Sequence, residues 1–213
     1  MAQDIKIAGE RTVADWRKLS AALLADMGNT HLWEVAFGYL EERMKTRYLS
    51  PIKHIEGNGD NDGEGFAIVA IICSMVEALE SFYEGKSYRK ATKAAPLDPS
   101  AEYYESQPIF VSFLQNREPF RNHFAASGLA TEFYKNVRCP ILHEAATRCG
   151  WKIRIDSKNL IEQQGNDWIL NRALFVRAIE EYMKSYKQEL FDSPSPNLKN
   201  AFIRKFDAIC ASA

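Results

Sequence analysis

"FAIVAIICSMVEALESFYEG", residues 66–85, is the stretch on which the fold turns. It is apolar nearly all round until it meets Glu77 and Glu80, and it closes on Gly85, a residue type that ends helices. A helix without a polar face needs neighbours on every side, so this segment reads as the central buried helix of an all-α domain. Its apolar core, 66–76, is too short to span a bilayer, and no membrane partner is expected.

Helical signals continue on both sides. Thr12 followed by Asp15 predicts a capping box opening a helix that stops at Gly28. Asn29 or Thr30 caps the next, with Leu32, Val35, Ala36, Tyr39 and Leu40 as its apolar face. Pro51 is expected to break or kink it. "IEGNGDNDGEG" (55–65) holds four acids and four glycines and reads as a loop. An EF-hand register there puts Ile71 or Val69 where the bidentate Glu must stand, so no metal is expected.

Beyond the central helix, 86–100 reads as a polar connection. Short helices are expected around 108–117, 119–127 and 129–137, punctuated by Pro108, Pro119 and Gly128. "WKIRID" (151–156) alternates with strand period, and "NDWIL" (166–170) returns as its partner in a small β-hairpin insertion near 151–170. Helical period resumes with Phe175, Ile179, Tyr182, Met183, Tyr186 and Leu190. After "SPSPN" (193–197), Leu198, Phe202, Phe206 and Ile209 mark a last amphipathic helix. No boundary divides the chain, so 1–213 reads as one domain.

Composition narrows the function classes. The 213 residues carry 27 basic and 28 acidic side chains, a net charge of −1, with no global signature of a nucleic-acid or membrane partner. The cysteines at 73, 139, 149 and 210 form no C-x-x-C pair. The opening residues lack a signal-peptide pattern, which suggests a cytoplasmic home.

Charge is concentrated in one place. Residues 135–154 contain Lys135, Arg138, Arg148, Lys152 and Arg154 against Glu144 alone, a net of +4. Within them, "NVRCPILHEAATRCGW" (136–151) places Pro140 where a helix would start and Gly150 where it would stop. Arg138 just ahead of such a helix and His143 in its first turn would meet an anion at the free N–H groups.

"RCPILH" also resembles the Arg-x4-His motif of HEPN domains, and the likeness extends to Tyr134 and Asn136 before it and "HEA" after it. Two other Arg/His pairs, Arg47/His54 and Arg117/His123, are interrupted by Pro51 and Pro119. The resemblance implies a helical bundle, usually homodimeric, and in many members a metal-independent ribonuclease of toxin–antitoxin or phage-defence systems. On that reading Arg138 and His143 are catalytic, and Lys135, Asn136, Arg148 and Lys152 bind substrate. Glu77 and Glu144 support them, and no cofactor is needed. RNA or a nucleotide is the partner, with an antitoxin or defence-system protein as a further one. The alternative is a catalytically silent HEPN-like module that binds nucleotide, RNA or protein. Cys139 follows the arginine where active members usually carry a polar residue, which favours that alternative.

Overall fold

The computed structural model describes residues 5–59, 62–192 and 196–212. In chain order the elements are β1 (Lys6–Ala8), β2 (Arg11–Thr12), α1 (Val13–Ala25), α2 (Thr30–Met44), α3 (Ser50–Asn58) and α4 (Glu64–Glu84). Then come β3 (Ser87–Tyr88), β4 (Glu102–Tyr103), α5 (Ser106–Asn116), α6 (Phe120–His123), α7 (Leu129–Phe133) and α8 (Cys139–Glu144). β5 (Trp151–Arg154), β6 (Ile161–Gln164), β7 (Asp167–Asn171), α9 (Arg172–Asp192) and α10 (Pro196–Ala211) complete the chain. The fold is mainly α with small sheets.

The chain divides into two compact units, neither continuous in sequence. The first gathers residues 1–49, 81–105 and 186–213, and the second 50–80 and 106–185. Because α4 and α9 each run through both, no linker composition marks a boundary.

In the first unit Thr12 and Asp15 form the capping box, with Asp15 Oδ2 accepting from the Thr12 N–H at 2.9 Å. Asp26, rather than Gly28, closes α1. Asn29 caps α2, its Oδ1 accepting from the Leu32 N–H at 3.2 Å. The buried face of α2 is turned from the expected one. Trp33 and Phe37 are inside with Ala36, Tyr39 and Leu40, while Val35 is exposed. The reason is the aromatic core offered by α10. Phe202 faces Trp33 and Phe37, and Phe206 stacks on Trp16 with ring centroids 4.4 Å apart. Gly85 has φ +66, and a Cβ there would lie 2.6 Å from the Ala201 backbone, so the turn after α4 excludes any side chain.

In the second unit Phe110, Phe113, Phe120, Phe133, Trp151 and Phe175 build the core, all of them buried. α4 is long and apolar enough to cross a membrane by length and composition, but more than half of its apolar stretch is buried inside the fold, as in the core helix of a globular domain.

Three expectations are corrected. First, the helix after Lys45 does not break at Pro51. Residues Lys45–Leu49 widen into a π-turn and α3 continues to Asn58, so 55–58 are helical rather than loop. Helix resumes at Glu64, while 60–61 lie outside the described residues. Secondly, the 151–170 insertion is a three-stranded sheet of order β5-β7-β6. β5 pairs with β7 in parallel, Trp151 opposite Trp168, and the hairpin partner of β7 is β6. Gly165, at φ +61, and Asn166 make its two-residue turn. Asn171 holds the returning chain, its Nδ2 donating to the carbonyls of Ile155 at 3.2 Å and Ser157 at 2.7 Å.

Thirdly, no helix begins at Pro140. α7, a π-turn over Tyr134–Arg138 and α8 form one unbroken helical run from Leu129 to Glu144. Both π-turns end two residues before a proline, and one cause serves for both. Proline has no N–H for the carbonyl four residues back and its ring crowds that carbonyl, so the helix swells ahead of it. In the second case the Asn136 carbonyl set free by Pro140 accepts instead from the Arg148 N–H at 2.8 Å. The run ends at Ala145, in the left-handed region at φ 52, well before Gly150.

Candidate functional site

The site grows from the π-turn. Arg138 lies within the helical run (φ −60, ψ −50), not ahead of it. Its Nη2 donates to Glu77 Oε2 at 3.1 Å, and its guanidinium carbon stands 5.2 Å from the centre of the Tyr134 ring. The Nε is buried with no hydrogen-bond partner. Glu77 also accepts from Ser106 Oγ at 2.9 Å, so α4, α5 and the π-turn meet at one carboxylate. This carboxylate is not an exposed helix end: the side chains of Arg138 and Glu77 keep only 17% and 16% of their exposure.

Sulfur and phenol groups surround the pair. A side-chain hydrogen bond links Tyr134 to Cys139, and burial pushes the Tyr134 hydroxyl above its ordinary range while Arg138 opposes the shift. Burial drives the Cys73 thiol up to about 12, again against the pull of Arg138. The Tyr134 hydroxyl and the Cys73 thiol therefore stay neutral at physiological pH, and among the described residues Glu77 is the carboxylate that pairs with the guanidinium.

His143 falls in the last turn of α8, exposed and with no hydrogen-bond partner among the described residues. The helix end nearest to it is the carbonyl end, so the expected anion site at free N–H groups is absent here. Arg138 and His143 thus share one helical run without touching.

The four expected substrate-binding residues divide. Lys135 is exposed. Asn136 is buried and donates to Glu132 Oε2 at 2.8 Å. Arg148 pairs with Glu144, the other expected supporting residue, and Lys152 pairs with Asp167 on the neighbouring strand. Glu77 and Asp167, distant in sequence, thus offset two of the five basic charges.

One further cluster escaped the sequence reading. Glu80, one turn along α4 from Glu77, accepts from Arg117 Nε at 2.8 Å, Arg117 Nη2 at 3.0 Å and Ser112 Oγ at 2.7 Å. It is fully buried. Two carboxylates three residues apart on an otherwise apolar helix were the available signal, because each demands a cation where it is buried. Among the described residues no three His, Cys, Asp or Glu side chains stand together as metal ligands. No family model, curated protein or solved structure matches the chain.

Proposed function

We propose that the chain is a HEPN-like RNA endonuclease, acting without a metal and completing its site from two copies. The observation that supports this best is the fixed guanidinium of Arg138, held by Glu77 and lying by the Tyr134 ring, with the exposed imidazole of His143 five residues on along the same helical run. A cation oriented before substrate arrives is what stabilises charge developing on a phosphorane. A neutral imidazole accepts the proton of a ribose 2′-OH. The 2′ oxygen bonds to the adjacent phosphorus, and the bond from phosphorus to the 5′ oxygen breaks. The imidazolium of the second copy gives that leaving oxygen its proton. The products are a 2′,3′-cyclic phosphate and a 5′-hydroxyl. One chain offers one histidine here, so acid and base together call for a two-fold pair.

A second reading has its own support. Glu77 already answers the charge of Arg138, and among the described residues no side chain orients His143, as suits a silent module that binds RNA or nucleotide without cutting. Incubating the purified protein with RNA in EDTA, beside His143→Ala, separates the two. Cyclic-phosphate ends made by wild type and not by the variant uphold cleavage. RNA that is bound but left intact by wild type overturns it in favour of the silent module.

A further inference from the structure

We propose that the loop between β3 and β4, with its flanking residues 86–104, is a platform for single-stranded RNA, stacking bases on Tyr88 and Tyr104 and meeting phosphates with Lys90 and Lys93. The proposal deepens the RNA reading above, and rests on it for the choice of RNA over DNA.

The first unit exposes aromatic surface here. Tyr88 and Tyr104 are 58% and 42% exposed, more than most rings of this size keep. The parallel pairing of β3 with β4 sets Tyr88 opposite Tyr103. The Tyr88 ring centre is 5.8 Å from that of Tyr103 and 5.8 Å from that of Tyr104. Three rings therefore make one patch.

Arg89 fixes the loop from inside. It pairs with Glu102 through Nε and Nη2 and donates to the carbonyls of Ala95 at 3.0 Å and Pro96 at 2.6 Å. Glu102 in turn accepts from the Asp98 N–H at 2.8 Å. With the backbone so tied, the tyrosines are presented with little ordering left to do on binding.

Lys90 and Lys93 are exposed and make no ion pair among the described residues, while Arg89 and Glu102 neutralise each other within the loop. Asp98 and Glu105 are exposed as well, so the two lysines, and not a net basic field, are what meets phosphate. Open rings on the same segment as these ammonium groups complement unstacked bases on a phosphate chain. A duplex, its bases already stacked, would find no use for the rings.

The test uses the full chain carrying His143→Ala, so that RNA survives the measurement, and fluorescence anisotropy with a short labelled oligouridine. Tyr88→Leu with Tyr104→Leu is expected to raise Kd at least about 10-fold, since leucine keeps apolar area but offers no π-face. Tyr88→Phe with Tyr104→Phe should stay within about twofold, because stacking needs the ring and not the hydroxyl. Lys90→Ala with Lys93→Ala should lower the slope of log K against log salt by about 1.4. Thermal melts establish that each variant is folded. Absence of binding, equal affinity for duplex RNA, leucine variants that bind like the parent, or capture of a proline-rich peptide in place of RNA each overturns the platform. Cleavage is scored separately with His143 intact. Tyrosine-dependent binding without cutting keeps the platform and sinks the nuclease, whereas cutting and binding indifferent to both tyrosines do the reverse.

Discussion

Glu77 and Glu80 stand three residues apart on α4, and each holds one arginine and one serine, yet water reaches only the first. The Glu77 side chain keeps 16% of its exposure and that of Glu80 none. The same chemical group, repeated almost one turn on, thus serves one pair whose carboxylate meets solvent and one whose carboxylate is sealed from it, while the two arginines are about equally exposed. The difference assigns them different work.

Glu80→Ala should be among the most damaging single changes in the chain. It leaves Arg117 as an uncompensated charge, 16% exposed, and breaking a buried pair this way costs about 3–5 kcal/mol. Urea unfolding should show the midpoint falling steeply. Glu77→Ala should lower it less, because Arg138 gives one hydrogen bond to its carboxylate where Arg117 gives two, and Glu77 is itself partly hydrated. Equal losses would contradict the division between the two pairs.

For the proposed nuclease, His143→Ala should reduce cleavage about 10²–10⁴-fold with thermal stability unchanged, since His143 is exposed. Arg138→Ala should cost about 10²–10³-fold in kcat and also lower stability, because it strips Glu77 of its cation. Wild type should sediment at twice the 24.3 kDa chain mass. A monomer at micromolar concentration that still cuts RNA would contradict the paired site.

Pro140→Ala tests the origin of the π-turn. Alanine restores an N–H four residues beyond Asn136, which can then compete for the carbonyl now bonded by Arg148. The Arg148 amide should lose hydrogen-exchange protection, and the turn over 134–138 should tighten toward regular helix. One residue of register is about 100° of helix rotation, so the facing of His143 relative to Arg138 would shift with it. A variant with unchanged exchange at Arg148 would show that proline is not the cause.

The 86–104 loop should respond to acid. Hydrogen bonds from Arg89 and from the Asp98 N–H hold the Glu102 carboxyl down at about 2, from an ordinary value of 4.5. A depressed folded-state value means the carboxylate favours the ordered loop at every pH above 4.5. That contribution fades as pH falls from 4.5 through 2. Exchange of the Arg89 amide, bonded to the Tyr103 carbonyl at 2.9 Å, should therefore quicken across that window relative to its intrinsic acid rate. Glu102→Gln should remove the extra pH dependence.

What the sequence made legible is local. The Thr12–Asp15 box, the Asn29 cap and the inward residues of α9, from Phe175 to Leu190, depend on neighbours within a turn or two, and all are where spacing places them. The prolines misled because their rule concerns one missing hydrogen bond, and a π-turn supplies another way to meet it. The sheet misled because parallel pairing of β5 with β7 depends on Asn171 gripping the 155–160 connection, which no strand pattern encodes. At the candidate site, the Arg138 partner lies 61 residues away on α4, and periodicity is blind to such distances. The three tyrosines of the loop meet across a gap of fifteen residues for the same reason.

Trp16 stacks on Phe206, and this contact sets a timetable for the chain's birth. Ribosomes add about 5–20 residues per second, so α1 leaves the exit tunnel on the order of ten seconds before the helix that covers it has been made. Until then its apolar face is open to chaperones and to other nascent chains. A message truncated before α10 yields a polypeptide whose first unit has no closing layer. Proteolysis, and not partial activity, is the expected fate of such a fragment.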